Sequence, residues 1–375
     1  MEENYIKNII TISGEPASGK GSVVSLLKDY YEKQGLEVYV ISVGNMFRDI
    51  AIEEYKKIHP EIENPSIEQA NNDPDFASKR AQIDEQLDSY IAKKGKEITE
   101  ANEQGKIYIF DSRLAFSNIP NSFSIRLTVD EKVAGERVFN DSTRGKEDTY
   151  GTLEEAIAIT RKRKEGEISR YIERYGVDLT DESQYNLVID TSMAKLDDII
   201  EVITKSFELD KNGKEYSKMW RSPQWFLPLQ DIMDTGGAGD LGLDSNQFEK
   251  MIKKDGYRYD CPITAIQVDG YYYIIEGHHR NFVMGYMGKT LIPYQIIGKD
   301  DEIMQGYKST ARERVYPLLR EDRRKYYLST IYDHEECFPD VVKDGEERPY
   351  YYTDIYGAYP EIKVAKKDDR SNQER

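Results

Sequence analysis

Cysteine is almost missing from this chain: its 375 residues carry two, Cys261 and Cys337. Two isolated cysteines exclude a disulfide framework and a cysteine-built zinc site. Histidine is nearly as scarce, at four, with His59 and His334 standing alone. No apolar run approaches the roughly 20 residues that a membrane helix needs. Positive charge is in deficit, with 52 Lys and Arg against 69 Asp and Glu and a net charge of −17. An acidic surface repels nucleic acid and anionic membranes, so any polyanion contact has to come from a local basic patch. The amino-terminal MEENYIKN is acidic and runs straight into a strand pattern, unlike a secretory signal. The expectation is a cytoplasmic protein with no membrane partner.

The chain is long enough for two or three domains and a substantial core. Its 29 tyrosines crowd the C-terminal half, as in Tyr271-Tyr272-Tyr273 and Tyr350-Tyr351-Tyr352, and read as packing residues rather than base-stacking ones. The stretch that organises the rest is Ile9–Ser22, IITISGEPASGKGS. A β-branched run leads into G-x-x-x-x-G-K, with Ser22 two places after Lys20, and an amphipathic helix pattern follows. Strand, glycine loop and helix in that order form a phosphate cradle: backbone N–H groups crowd around phosphate oxygens and the helix N-terminus adds partial positive charge. Gly14, Ser18, Gly19, Lys20, Gly21 and Ser22 would hold a nucleoside triphosphate, with Lys20 on the β/γ-phosphates and the Ser22 hydroxyl on Mg²⁺.

Further along, strands are expected at Glu37–Ser42, Lys106–Asp111, Ser122–Val129 and Tyr185–Asp190. Helices are expected to open at Val43–Ile50 and to run over Asp75–Gln104, Glu131–Phe139 and Leu153–Arg174, with Glu61–Pro74 polar and broken. Alternating strands and helices imply a doubly wound parallel α/β domain over residues 1–209. Residues 210–222 read as a linker, 223–300 as a smaller α+β domain, 301–360 as a helical extension and 361–375 as a solvated tail.

Residues 7–205 resemble the nucleoside monophosphate kinases, and within them the cytidylate kinases of the short archaeal type. The resemblance rests on Lys20-Gly21-Ser22, on Ser42–Arg48 (SVGNMFR), on Asp111–Ala115 (DSRLA), on a lid from Arg161 through Leu179, and on Val188–Ser192. Ala17 stands where many members have glycine, and Asp111-Ser112 where they have Glu-Gly. The resemblance implies ATP and Mg²⁺ as cofactors, Gly44, Arg48 and Arg113 on the acceptor's phosphate, and Asp84 or Asp178 on its base or ribose. Phosphoryl transfer supports this independently, since it needs positioned cations around spreading negative charge. Arg163 and Arg170 lie two helical turns apart on one face that Arg174 continues, with Arg137 on the preceding helix. With Lys20 and the strand-end Asp111, which supports the metal, Arg163 and Arg170 form the candidate catalytic set. The bland alternative for these arginines is a solvated face paired with Glu165, Glu167 and Glu173.

Residues 225–300 carry a strand at Ile263–Val268, a second at Tyr271–Ile275, Glu276-Gly277-His278-His279-Arg280, a helix and Gly288–Pro293. This resembles the ParB/sulfiredoxin-like fold, in the version found in free serine kinases, and implies a second nucleotide site at Glu276, Gly277, His278, His279 and Arg280. Adjacent histidines cannot share a helical face, which argues against a two-histidine metal site. The leading reading is an ATP-dependent nucleoside monophosphate kinase, CMP or dCMP preferred, with nucleotide partners. The alternatives are a kinase for free serine or for a hydroxymethylated base in DNA, and a nucleotide-gated binding protein without turnover. DNA as a partner is disfavoured by the net charge, despite a basic stripe at Arg312, Arg314, Arg320, Arg323, Arg324 and Lys325.

Overall fold

The computed structural model describes residues 7–141, 150–227, 245–268 and 271–297. The extension at 301–360, the tail, His334, Cys337, Tyr350–Tyr352 and the basic stripe lie outside the described residues. The chain divides into two compact units. One joins the residues up to Thr128 with Thr160–Val188; the other joins Val129–Ile159 with the residues from Ile189 onward.

The first unit opens with β1 (Ile9–Gly14) and α1 (Lys20–Lys33), then β2 (Glu37–Ser42) and α2 (Val43–Ile58). A short α3 (Ile67–Asn72) precedes the long α4 (Ala77–Ala101), which leads through β3 (Lys106–Asp111) and α5 (Ala115–Asn118) to β4 (Phe123–Thr128). The strands run parallel in the order β2-β3-β1-β4. Ile9, Ile10 and Ile12 are wholly buried, as a strand covered on both faces must be. α1 packs Val23, Val24, Leu27 and Tyr31 inward and stops before Gly35, whose φ of 82° ends the helix. α4 turns Ile83, Leu87, Ile91 and Ile98 toward the core, which leaves Asp84 and Asp88 beside that stripe.

α3 falls inside Glu61–Pro74, where only broken chain is expected. Ser66 accepts from the Gln69 N–H while the Gln69 side chain accepts from the Ser66 N–H, a reciprocal cap. Its Ser-x-x-Gln signature is legible in the sequence, so the helix was readable there.

α6 (Glu131–Phe139) belongs to the second unit, and α7 (Leu153–Tyr175) contributes to both units. β5 (Leu187–Asp190) and α8 (Leu196–Lys211) follow. β6 (Met219–Arg221), β7 (Phe226–Leu227), α9 (Ser245–Asp255), β8 (Ile263–Val268), β9 (Tyr271–Glu276), α10 (His278–Tyr286) and β10 (Ile292–Ile296) complete the described chain. Strands run in the order β6-β10-β8-β9-β7, with β6 antiparallel to β10 and β8 antiparallel to β9. Sequence texture marks 210–222 as a linker, but β6 forms there with Trp220 buried and its indole N–H on the Ser217 carbonyl. A tryptophan needs that much apolar cover, so the stretch is packed structure rather than tether.

Within the second unit α6 and the start of α7 approach closely at Gly135. A Cβ there would lie 2.4 Å from Ile157 Cγ1 and 2.9 Å from the Ile157 Cα. Backbone cannot swing aside as a side chain does. Gly135→Ala is therefore expected to destabilise the unit by about 1–3 kcal/mol, read as a lower urea midpoint; an unchanged midpoint would contradict this packing.

Candidate active site

The loop between β1 and α1 folds as its motif demands. The Glu15 N–H donates to the Leu127 carbonyl at 3.0 Å and the Ser18 N–H to the Glu15 carbonyl at 3.1 Å, closing a tight turn. Gly19 caps α1 with a φ of 78°, and Ala17 has a φ of 62°. The left-handed region costs a non-glycine residue about 1 kcal/mol, so Ala17 holds strain at the place where the sequence departs from glycine. Gly14 leaves room for the Ser18 hydroxyl, since a Cβ there would lie 2.6 Å from Ser18 Oγ and force it to move. Ser18 is buried, whereas Gly21 and Ser22 are exposed at the start of α1.

Lys20 is the first residue of α1, and its ammonium abuts the carboxylate of Asp111, the last residue of β3. The other Asp111 oxygen accepts from the Ser42 hydroxyl at 3.1 Å. Ser42 precedes α2 without capping it through its side chain, so the hydroxyl serves Asp111 instead. Burial, reinforced by the Arg113 and Arg48 charges and opposed by Glu167, pulls the Lys20 ammonium down to about 8.

Arg113 is gripped by Glu167 from α7 through two parallel bonds of 3.1 and 2.9 Å. This fork-on-carboxylate geometry is the one that a guanidinium also offers to phosphate. Arg163 stands 3.7 Å from the same carboxylate but is largely exposed. Arg48 folds back onto the Gly44 carbonyl and the Asn45 side chain, at 3.2 and 3.0 Å. Glu15, inside the loop, holds Arg126 of β4 at 2.9 Å and Lys164 of α7 at 3.0 Å.

Lys20, Asp111, Arg113 and Glu167 thus come together, with Arg48 within electrostatic reach. Arg170 lies over the Tyr171 ring at 5.4 Å, and Arg174 pairs with Asp84 rather than with the phosphate loop. Asp178 accepts from the Thr180 N–H and hydroxyl at 2.8 and 2.7 Å, bonds that hold its carboxyl below the usual range. That carboxylate shapes its own turn. Arg137, in the second unit, donates to the Thr191 carbonyl at 2.5 Å.

Sequence reasoning missed Ser42, Glu15, Arg126 and Lys164 as members of this network, and read Glu167 only as a neighbour of surface arginines. Nothing local marks them: Arg113 and Glu167 lie 54 positions apart, and Arg126 and Glu15 lie 111 apart.

In the second unit Gly277, with a φ of 95°, turns β9 into α10, and His278 is buried. Arg280 donates to the Cys261 and Pro262 carbonyls at 3.0 and 2.8 Å and to Glu276 at 3.0 Å. The guanidinium expected at a second nucleotide site is thus committed to the entry of β8.

Among the described residues no three His, Cys, Asp or Glu cluster as a metal cage. Asp111, Ser22 and Ser42 are hard oxygen donors, which fits a magnesium ion carried mainly by phosphates and water.

The Cytidylate kinase-like family matches residues 9–193. The cytidylate kinase of Methanocella arvoryzae is 32% identical over 206 residues, 53% of this chain and 97% of that enzyme. That of Methanosarcina acetivorans is 30% identical, over 48% of this chain and 86% of its own length. An S-adenosylmethionine-dependent nucleotide dehydratase of Lacinutrix mariniflava is 28% identical over 54% of this chain and 36% of its own. Each similarity spans about half of the present chain. Motif order, loop geometry and kinship agree, and the chain belongs to the cytidylate kinase-like family: it is a kinase.

Proposed function

We propose that this enzyme transfers the terminal phosphoryl group of ATP to a nucleoside monophosphate, with CMP or dCMP preferred, in the cytoplasm. The observation that carries the reading is the meeting of Lys20, Asp111 and Arg113 at the mouth of the phosphate loop. Gly14 and Ser18–Ser22 supply the backbone cradle, and Lys20 neutralises the β- and γ-phosphates. Arg48 and Arg113 hold the acceptor's phosphate for in-line attack, with Arg113 exchanging the Glu167 carboxylate for phosphate oxygens of like geometry. Arg163 and Arg170, on the lid helix, meet the charge that spreads over the transferring group as closure excludes water. Magnesium, held by Ser22 and supported by Asp111, would neutralise phosphate charge and orient the triphosphate. Asp178, by contrast, is occupied by Thr180, which favours a structural part for it.

We also read residues 223–300 as a ParB/sulfiredoxin-like domain with a second nucleotide site at Glu276–Arg280. Gly277 ahead of α10 supports it. In this reading the α10 N-terminus and the histidines meet the phosphate, while Arg280 holds the turn in shape. If so, Lys20→Met protein retains a nucleotide affinity that His279→Ala removes; calorimetry in which the Lys20→Met protein binds no nucleotide would end this reading.

For the first site, ADP release is expected with CMP or dCMP well above UMP, AMP, L-serine or hydroxymethylated DNA. Lys20→Ala should lower kcat by roughly 10²–10³, as removal of a charge-stabilising donor does. Arg113→Ala should raise the acceptor's KM far more than that of ATP. Absence of release with every monophosphate would overturn the reading.

Binding should also depend on pH in a definite direction. Below about 8 Lys20 carries its proton and ATP affinity is flat. Above that value the protein must take up a proton to bind, so affinity falls by as much as about tenfold per pH unit. Titrations between pH 6.5 and 9.5 check this, and Lys20→Met should flatten the profile.

A further inference from the structure

Glu15 puts an acid inside the loop that is built to receive a triphosphate. A carboxylate there costs desolvation and repels phosphate unless cations offset it. The structure gives it two. Oε1 takes Arg126 Nη2 of β4 at 2.9 Å, and Oε2 takes Lys164 Nζ of α7 at 3.0 Å. The Glu15 side chain is 8% exposed and that of Arg126 is 5% exposed, whereas Lys164, at 29%, reaches them from the rim. Arg126 is fixed in turn, with its guanidinium over the Tyr185 ring at 5.7 Å. The Glu15 backbone is held as well: its N–H donates to the carbonyl of Leu127, the residue after Arg126, and its carbonyl accepts from the Ser18 N–H. β4 thus grips Glu15 by main chain and side chain, and the second carboxylate oxygen is left to α7.

We infer that Glu15 is a positioning residue that clamps α7 to the phosphate loop through Lys164, while Arg126 anchors the clamp to the sheet; this rests on the phosphoryl-transfer reading above. Lys164 follows Arg163 in the chain, and Glu167 lies three residues further on. In the proposed reaction Glu167 releases Arg113 to the acceptor's phosphate. The Glu15–Lys164 pair involves neither of those groups and stays closed through that exchange, so the α7 cations meet a loop of fixed shape. Small displacements of reacting groups cost rate steeply, which gives such a clamp its effect. It also bears on Ala17, two residues on, whose left-handed backbone persists only where its surroundings hold it.

The test is steady-state kinetics of the full chain with its best monophosphate acceptor, comparing wild type, Glu15→Gln, Lys164→Met and the double variant, with melting temperatures in parallel. Glutamine keeps an acceptor for Arg126 but loses the charge that draws Lys164. Each single variant should lower kcat by about tenfold and change the KM for ATP by less than about twofold. The double variant should lose no more than either single one, because both remove the same contact. Losses that multiply would show Lys164 acting on phosphate by itself and would overturn the inference. An unchanged kcat with only a lower melting temperature would overturn it too, since that is a purely structural role. Should Glu15→Gln not fold, Lys164→Met decides alone: a lower kcat at constant KM for ATP supports the clamp, and a raised KM for ATP or an unchanged kcat ends it. If wild type turns over no monophosphate, the proposed acceptor class fails and this inference with it.

Discussion

A partly buried ammonium facing a strand-end carboxylate is the constraint around which the first unit is built. Desolvation disfavours a lone charge in such a place, and the Arg113 and Arg48 charges add to the strain on Lys20. Asp111 makes the site tolerable by pairing with it, and Ser42 steadies the carboxylate from β2. Three parallel neighbours, β1, β2 and β3, must therefore end in register for the pair to form. The pairings Ser42↔Asp111 and Ile12↔Asp111 provide that register. The parallel sheet positions the chemistry as much as it encloses the core.

Around this pair the protein sets its own carboxylates against its cations. Glu167 forks onto Arg113, and Glu15 takes Arg126 and Lys164. Such pairs keep partly buried cations satisfied. α7 carries both Glu167 and Lys164, which tie it to Arg113 and to the phosphate loop.

The second unit handles buried arginine differently. Arg221 pairs with Asp190 at 3.0 Å and is boxed by the rings of Trp225, Tyr272 and Tyr294 at 5.0, 4.5 and 5.8 Å. Arg280 is held by carbonyls of the β8 entry. Part of the tyrosine abundance is explained here: aromatic faces share the enclosure of a guanidinium that carboxylate alone would leave half covered. Arginine thus pairs with carboxylates beside the phosphate loop in one unit and is enclosed by rings and carbonyls in the other, and composition gives no hint of which.

What the sequence by itself determined is the local machinery. The phosphate loop, the strands from Glu37 to Asp111, α6 and the β8–β9–α10 run lie where periodicity, glycine and capping signals put them. Those signals are readable because each depends on backbone conformation within a few residues. Only tertiary structure decided which charges meet. Ser42 with Asp111, Arg113 with Glu167 and Arg174 with Asp84 lie 69, 54 and 90 positions apart, and no local rule pairs them. β6 escaped sequence reading for the same reason, since a three-residue strand exists only by virtue of its partner β10. Side chains that satisfy one another across strands and helices are chosen by packing and desolvation, which a linear pattern does not record.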